Sequence, residues 1–157
     1  MEAIRQVAIG LGLLLAMASS AGAQALDKKV LSFAAAQKIA TAAADAAQAK
    51  GVGVVIAVVD DGGHLILLHR LDDTQVASVN VGIGKARTAA IYRRPSREFE
   101  EQIRAGRIAA LALADSTPLQ GGVPILLDGK VIGAIGVSGD TPQVDEAIAI
   151  AGANAFK

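Results

Sequence analysis

Hydrophobic positions fall in blocks along this chain, and the spacing inside each block predicts its element. From Phe33 to about Lys50 the chain is Ala-rich, with high intrinsic helix propensity. Ser32 stands where such a helix needs an N-cap, and Gly51 or Gly53 where it must stop. Val54 to Val59 is an unbroken apolar run rich in β-branched residues, the pattern of a buried strand. Asp60-Asp61-Gly62-Gly63 is a turn, and His64 to Leu71 is the returning strand of a hairpin. Asp72 or Asp73 then opens a second helix reaching about Tyr92, with Val76, Val79, Ile83, Ala86 and Ala90 along one face. Pro95 closes that region, and Ser96 is placed to cap a short helix through Arg104. Residues 105–120 follow no single period.

The most apolar stretch is 121–139, where two apolar runs flank Asp128-Gly129. That dipeptide tolerates the positive φ of a tight hairpin turn. Both strands are apolar on both faces, which predicts a hairpin deep in a sheet. Gly133 and Gly136 interrupt the second strand, and Gly121-Gly122 leads into the first. Glycine inside a strand marks close approach of another backbone or of a ligand. The stretch is thus a packed central hairpin, with or without a small-molecule site on its glycine-rich face. Asp140 or Thr141 caps a last helix, with Pro142 in its first turn and Asp145 and Glu146 near its positive end. Helix, hairpin, two helices, hairpin, helix is the order of an α+β domain: an antiparallel sheet with helices packed on it.

The N-terminus departs from this pattern. Val7 to Ala18 is a compact apolar run, preceded by Arg5 and followed by small residues up to Ala25. This is the form of a secretory signal peptide, with cleavage after Ala23 or Ala25. Residues 1–25 are therefore expected to be removed and residues 26–157 to form one domain in the periplasm or outside the cell, without a stable membrane anchor. The chain has 15 basic and 15 acidic residues, and this neutrality argues against nucleic acid as a partner. It contains no cysteine, which excludes disulfides, thiolate metal sites and a thiol nucleophile. With 52% hydrophobic but only 3% aromatic residues, the core must be built from Ala, Val, Ile and Leu.

Few residues offer chemistry. The two histidines, His64 and His69, are five apart on one predicted strand, which sends them to opposite faces and prevents them from gripping one metal ion. Lys85, Arg87, Arg93, Arg94, Arg97 and Arg104 form a basic region near the end of the second helix. They offset the helix's negative end or clamp carboxylates. Glu98 and Glu101 share a helical face but are too few ligands for a calcium shell. Ser138 lacks the spacing of a nucleophile elbow, and no catalytic constellation assembles.

Several segments, taken in order, carry a family resemblance. They are Ala57-Val58-Val59-Asp60, Lys85-Ala86-Arg87-Thr88-Ala89, Gly121-Gly122-Val123-Pro124, Gly133-Ala134-Ile135-Gly136-Val137-Ser138-Gly139, and Asp145-Glu146-Ala147-Ile148-Ala149-Ile150-Ala151-Gly152. From about residue 28 onward the chain resembles the GlcG/HbpS-type haem-binding family, which includes the C-terminal domain of PduO-type proteins. The resemblance implies a profilin-like fold, homo-oligomeric assembly and haem as cofactor. In secreted members it implies a link to haem or iron sensing. Some such members carry acidic residues as an iron site just ahead of the Lys-Ala-x-Thr-Ala motif, where this chain has Asn80-Val81-Gly82-Ile83. Some carry a hydroxyl residue after the paired glycines that can touch haem, where this chain has Val123.

The leading expectation is a non-enzymatic protein binding haem or a related tetrapyrrole. Its ligand-binding residues would be Lys85, Arg87, Gly121, Gly122, Val123 and Pro124, and its candidate axial ligands His64, His69 or Tyr92. The alternatives are an enzyme or accessory factor acting on a small hydroxy or carboxylic acid, and an oligomeric interaction module with no small ligand.

Overall fold

The structure, a computed structural model, describes residues 25–156, so the expected signal peptide lies almost wholly outside the described residues. The first helix, α1 (Phe33–Lys50), begins where Ser32 accepts a hydrogen bond from the Ala35 N–H at 3.2 Å. It ends at Gly51, whose φ of 66° lets its N–H reach back to the carbonyls of the last turn. Ala36, Ile39, Ala40, Ala43 and Ala47 form its buried stripe at helical spacing.

The two hairpins follow as β1 (Val55–Asp60) with β2 (Leu65–Arg70), and β3 (Gly122–Leu127) with β4 (Lys130–Ser138). In the first turn the Asp60 carboxylate accepts the N–H groups of Gly62 and His64. In the second, Asp128 and Gly129 both take positive φ, 50° and 75°, as a two-residue hairpin turn requires. Lys28 bonds Asp61 at 2.7 Å and ties the N-terminal segment to the first turn.

The strands form one antiparallel sheet in the order β2-β1-β4-β3. Only half of the second hairpin is therefore deep in the sheet. β4 is central and nearly all buried, whereas β3 is an edge strand with Leu126 55% exposed. The edge is blunted. Ser96 occupies both outward backbone groups of Gly122, accepting its N–H at 2.8 Å and donating to its carbonyl at 3.0 Å. Two residues on, at the next outward position, Pro124 has no N–H to offer.

Helices cover both faces. α1 and α4 (Pro142–Asn154) pack on the side presented by Val54, Ile56, Val58, Ile135 and Val137. α2 (Ser78–Ile91) packs on the side of Ala57, Val59 and Ala134. This is the expected α+β architecture, with the helices divided between two layers. α2 starts later than the sequence pattern implies, because Asp73 adopts φ 60° and residues 72–77 form turns. Val76 consequently lies outside the helix, 74% exposed; of the expected face Ala86 and Ala90 are buried and Val79 and Ile83 half-buried, and Ser78, Gly82, Lys85, Thr88 and Ala89 are buried with them. α3 (Arg97–Arg104) follows Ser96, but the Ser96 hydroxyl serves Leu119 and Gly122 and does not cap the helix. Residues 105–120 contain a single short 3-10 helix, Ile108–Ala112.

Thr141 caps α4, accepting from the Val144 N–H, with Pro142 in the first turn. No helix among the described residues is long and apolar enough to cross a membrane.

Candidate functional site

The glycine-rich face of β4 is occupied by the protein itself. A Cβ on Gly136 would lie 2.2 Å from the Gly82 carbonyl oxygen and 2.4 Å from the Ala86 nitrogen, both backbone atoms of α2. A Cβ on Gly122 would meet the Lys85 carbonyl, and one on Gly133 would meet the Val59 carbonyl and the Leu31 side chain. The expected slot for a flat ligand against these glycines is therefore corrected. They are small so that α2 and the N-terminal segment can lie directly on the sheet.

Beneath Gly121 the structure places a buried polar network. Lys85 and Asp145 are 5% and 3% exposed in their side chains and pair at 2.8 Å. The Lys85 ammonium also donates to the Val137 carbonyl at 3.0 Å, and the second Asp145 oxygen accepts the Asp140 N–H at 3.0 Å. Burial pushes the Asp145 carboxyl above its ordinary range, opposed but not cancelled by Lys85 and by the N–H groups of Asp140 and Gly139. Next to it, Glu146 accepts from Arg97 at 3.4 Å and from the Gln120 amide at 2.8 Å. Sequence reasoning placed Asp145 and Glu146 at a helix dipole. Their side-chain partners lie 26 to 60 residues away, beyond the reach of any local pattern.

Lys85 is thus engaged inside the subunit. Arg87, two residues on and about 200° around the helix, turns to the first hairpin and donates to the Gly63 carbonyl at 3.2 Å. The two cations do not converge. His64 is in the turn, its side chain 80% exposed and 3.3 Å from Asp60. His69 lies half-buried on β2 opposite Ile56. Burial raises the Asp60 carboxyl, but its bonds to the His64 and Gly62 N–H groups and the His64 ring outweigh this and hold it below its ordinary range. Tyr92 donates to the Ala114 carbonyl at 2.7 Å and meets the Phe99 ring edge-on.

Val123 and Pro124 do line an open space. Between β3 and the end of α4 runs a groove of about 410 Å³, walled by Val123, Pro124, Leu126, Leu127, Ile150 and Phe156. Its volume and apolar walls are those of a small-molecule site. Asp128 and Asn154 are its polar lining residues. None of the lining side chains is a histidine, tyrosine, methionine or lysine. The histidines of β2 and its turn sit at the opposite edge of the sheet, three strand spacings or about 14 Å away. The groove is therefore apolar in its walls, and none of its lining side chains is a strong ligand for an iron. Among the described residues, no group of three His, Asp or Glu side chains is placed to hold a metal ion.

A family model described as "Haem degrading protein HbpS-like" matches residues 31–154. The chain belongs to the HbpS-like family. Protein GlcG of Escherichia coli K12 is 44% identical over 111 residues, covering 71% of this chain and 83% of GlcG. The crystal structure of a double mutant of Streptomyces reticuli HbpS superposes with a TM-score of 0.76 at 31% identity, over 85% of this chain and 91% of that one. The crystal structure of a complex of PduOC with haem gives 0.74 at 27% identity, over 81% and 95%. The HbpS-like assignment spans both faces of the sheet, the buried Lys85–Asp145 pair and nearly all of the β3–α4 groove.

Proposed function

We propose that this chain is an exported protein that binds haem or a related tetrapyrrole in the groove between β3 and α4, and that it works as a homo-oligomer. The observation that carries the reading is the groove itself, an open apolar site on a fold shared with PduOC, a protein crystallised with haem. The apolar walls would hold the macrocycle by dispersion and by removal of its faces from water. Val123 lines the groove and has only methyl groups to offer a bound iron. The chain's own groove residues thus bind and orient the ring and leave its metal without a protein ligand from the same groove.

Export is supported by the Val7–Ala18 apolar run and the small residues that follow it. N-terminal sequencing of the protein from a periplasmic or culture fraction should begin at Gln24 or Leu26; retention of Met1 would contradict export by cleavage. Self-association is supported by exposed apolar side chains outside the groove, Ile108 and Leu111 on the 3-10 helix.

Binding is tested by titrating hemin into the purified protein and following the Soret band. A saturable change is expected. Replacing Val123 by His should place an imidazole in the groove and shift the band towards that of a histidine-ligated haem. Replacing His64 or His69 should leave the band of the wild type unmoved if iron is not ligated from β2. A band moved by either histidine variant, with the Val123 variant silent, would relocate the site.

A further inference from the structure

The two walls of the groove, β3 and α4, start side by side and end side by side. Gln120, just ahead of β3, meets Glu146 near the start of α4. Leu127 and Asp128 at the end of β3 line the groove together with Asn154 and Phe156 at the end of α4. At the starting end the walls are tied. The Gln120 side-chain amide donates to Glu146 Oε2 at 2.8 Å, and Arg97 of α3 donates to the same oxygen at 3.4 Å. The Gln120 backbone N–H donates to Glu100 of α3 at 2.7 Å. Glu146 is only 6% exposed, and a charge-assisted bond sheltered from water is among the stronger ones. Among the described residues, no other hydrogen bond or ion pair joins residues 120–128 to α4.

The groove opens a short way past this tie. Val123 is about 10 Å further along the strand, and Ile150 is one turn, about 6 Å, further along the helix. Beyond the tie the walls rest on the core through half-buried apolar side chains, Val123 and Leu127 on one and Ala153 and Phe156 on the other. Apolar contact is non-directional and fixes no separation by itself. We propose that Gln120 and Glu146 are positioning residues for the groove: their bond fixes where the two walls begin and so how far apart they run. Neither residue lines the groove, and each acts through the wall it starts. The consequence for binding rests on the function proposed above; the consequence for wall separation does not. Because both donors meet one oxygen, Oε2, a glutamine at 146 still offers a carbonyl with two lone pairs to the same partners, whereas a leucine offers none.

The chain has no cysteine, so nitroxide labels can be attached through Leu126→Cys and Ile150→Cys, two exposed positions on opposite walls. The label-to-label distance, read by dipolar EPR without ligand, should lengthen and broaden with Gln120→Met and with Glu146→Leu, and stay as in the parent with Glu146→Gln. Thr74→Val is the control: it removes the bond from Thr74 to the Leu71 carbonyl, after the strand at the other edge of the sheet, and should leave the distance unchanged. Hemin titrated into the unlabelled proteins should bind about three- to tenfold more weakly to Gln120→Met and Glu146→Leu, the loss of roughly one net hydrogen bond, and within about twofold of the wild type to the other two. An unchanged distance in Gln120→Met would overturn the proposal. So would an equal change in Thr74→Val, or Glu146→Gln behaving as Glu146→Leu. If Glu146→Leu fails to fold, Gln120→Met decides, since it keeps the backbone bond to Glu100 and alters only a half-buried side chain. If the wild type takes no hemin, the tetrapyrrole reading fails and the label distances alone decide the tie.

Discussion

Replacing Asp145 by Leu, or Lys85 by Met, should each destabilise the protein by about 3–5 kcal/mol, a fall of roughly 10–20 °C in Tm for a domain of this size. The two groups are 2.8 Å apart and almost wholly excluded from water. Either single change leaves its partner as an uncompensated buried charge. The Lys85 ammonium would keep only the Val137 carbonyl, and the Asp145 carboxylate only backbone N–H groups. The double replacement removes both charges from the same space and should cost far less than the sum of the singles, since apolar side chains of similar volume commonly substitute for a buried pair. Thermal denaturation of the three variants checks this. Additive losses would show that the pair contributes nothing as a pair.

The pH dependence carries a sign of its own. Because burial raises the Asp145 carboxyl, the folded protein holds that proton more tightly than the unfolded chain. Its contribution is present below the unfolded value, roughly pH 4, and is lost as pH rises through the folded value. The stability of the wild type relative to the double variant should therefore improve as pH falls through that window. A relative decline would contradict the shift.

Gly136→Ala is expected to cost about 3 kcal/mol or more, at the upper end for overpacking. The added methyl would sit 2.2 Å from the Gly82 oxygen and 2.4 Å from the Ala86 nitrogen, where real contacts of this kind stay beyond about 3.0 Å. Both neighbours are helix backbone, so no side chain can turn aside. α2 must lift from β4, and with it Lys85 leaves Val137 and Asp145. Gly106→Ala is the matched control, since open space surrounds that position and only its φ of 94° resists a side chain. Its cost should stay near about 1–2 kcal/mol. Equal melting temperatures for the two variants would show that close helix packing is not why Gly136 is glycine.

The elements that could be read from sequence are those specified by local chemistry. Ser32 and Gly51 bound α1, Asp128-Gly129 sets the second hairpin, and Thr141-Pro142 opens α4. What could not be read depends on partners distant in sequence. The glycines of β4 had two readings until α2 was seen lying on Gly136. Asp145 looked like a dipole partner until Lys85, 60 residues earlier, was found against it. Apolar spacing placed Val76 on the packed face of α2, but that face is formed of small and polar residues which hydrophobic periodicity does not detect. At the site, Val123 and Pro124 proved to line the groove, while Lys85, Arg87 and the two histidines point elsewhere. The bond between Gln120 and Glu146 was absent from the reading, because a contact between residues 26 apart leaves no periodic trace.

The location of the site is open to one direct measurement, the paramagnetic broadening of methyl resonances by sub-stoichiometric hemin in the purified protein. Val123, Leu126, Leu127 and Ile150 should broaden first, with Ala57 and Val59 beneath α2 and Ala89 on its buried face left sharp. Broadening centred on β2, or spread evenly over the surface, would contradict a ring seated between β3 and α4.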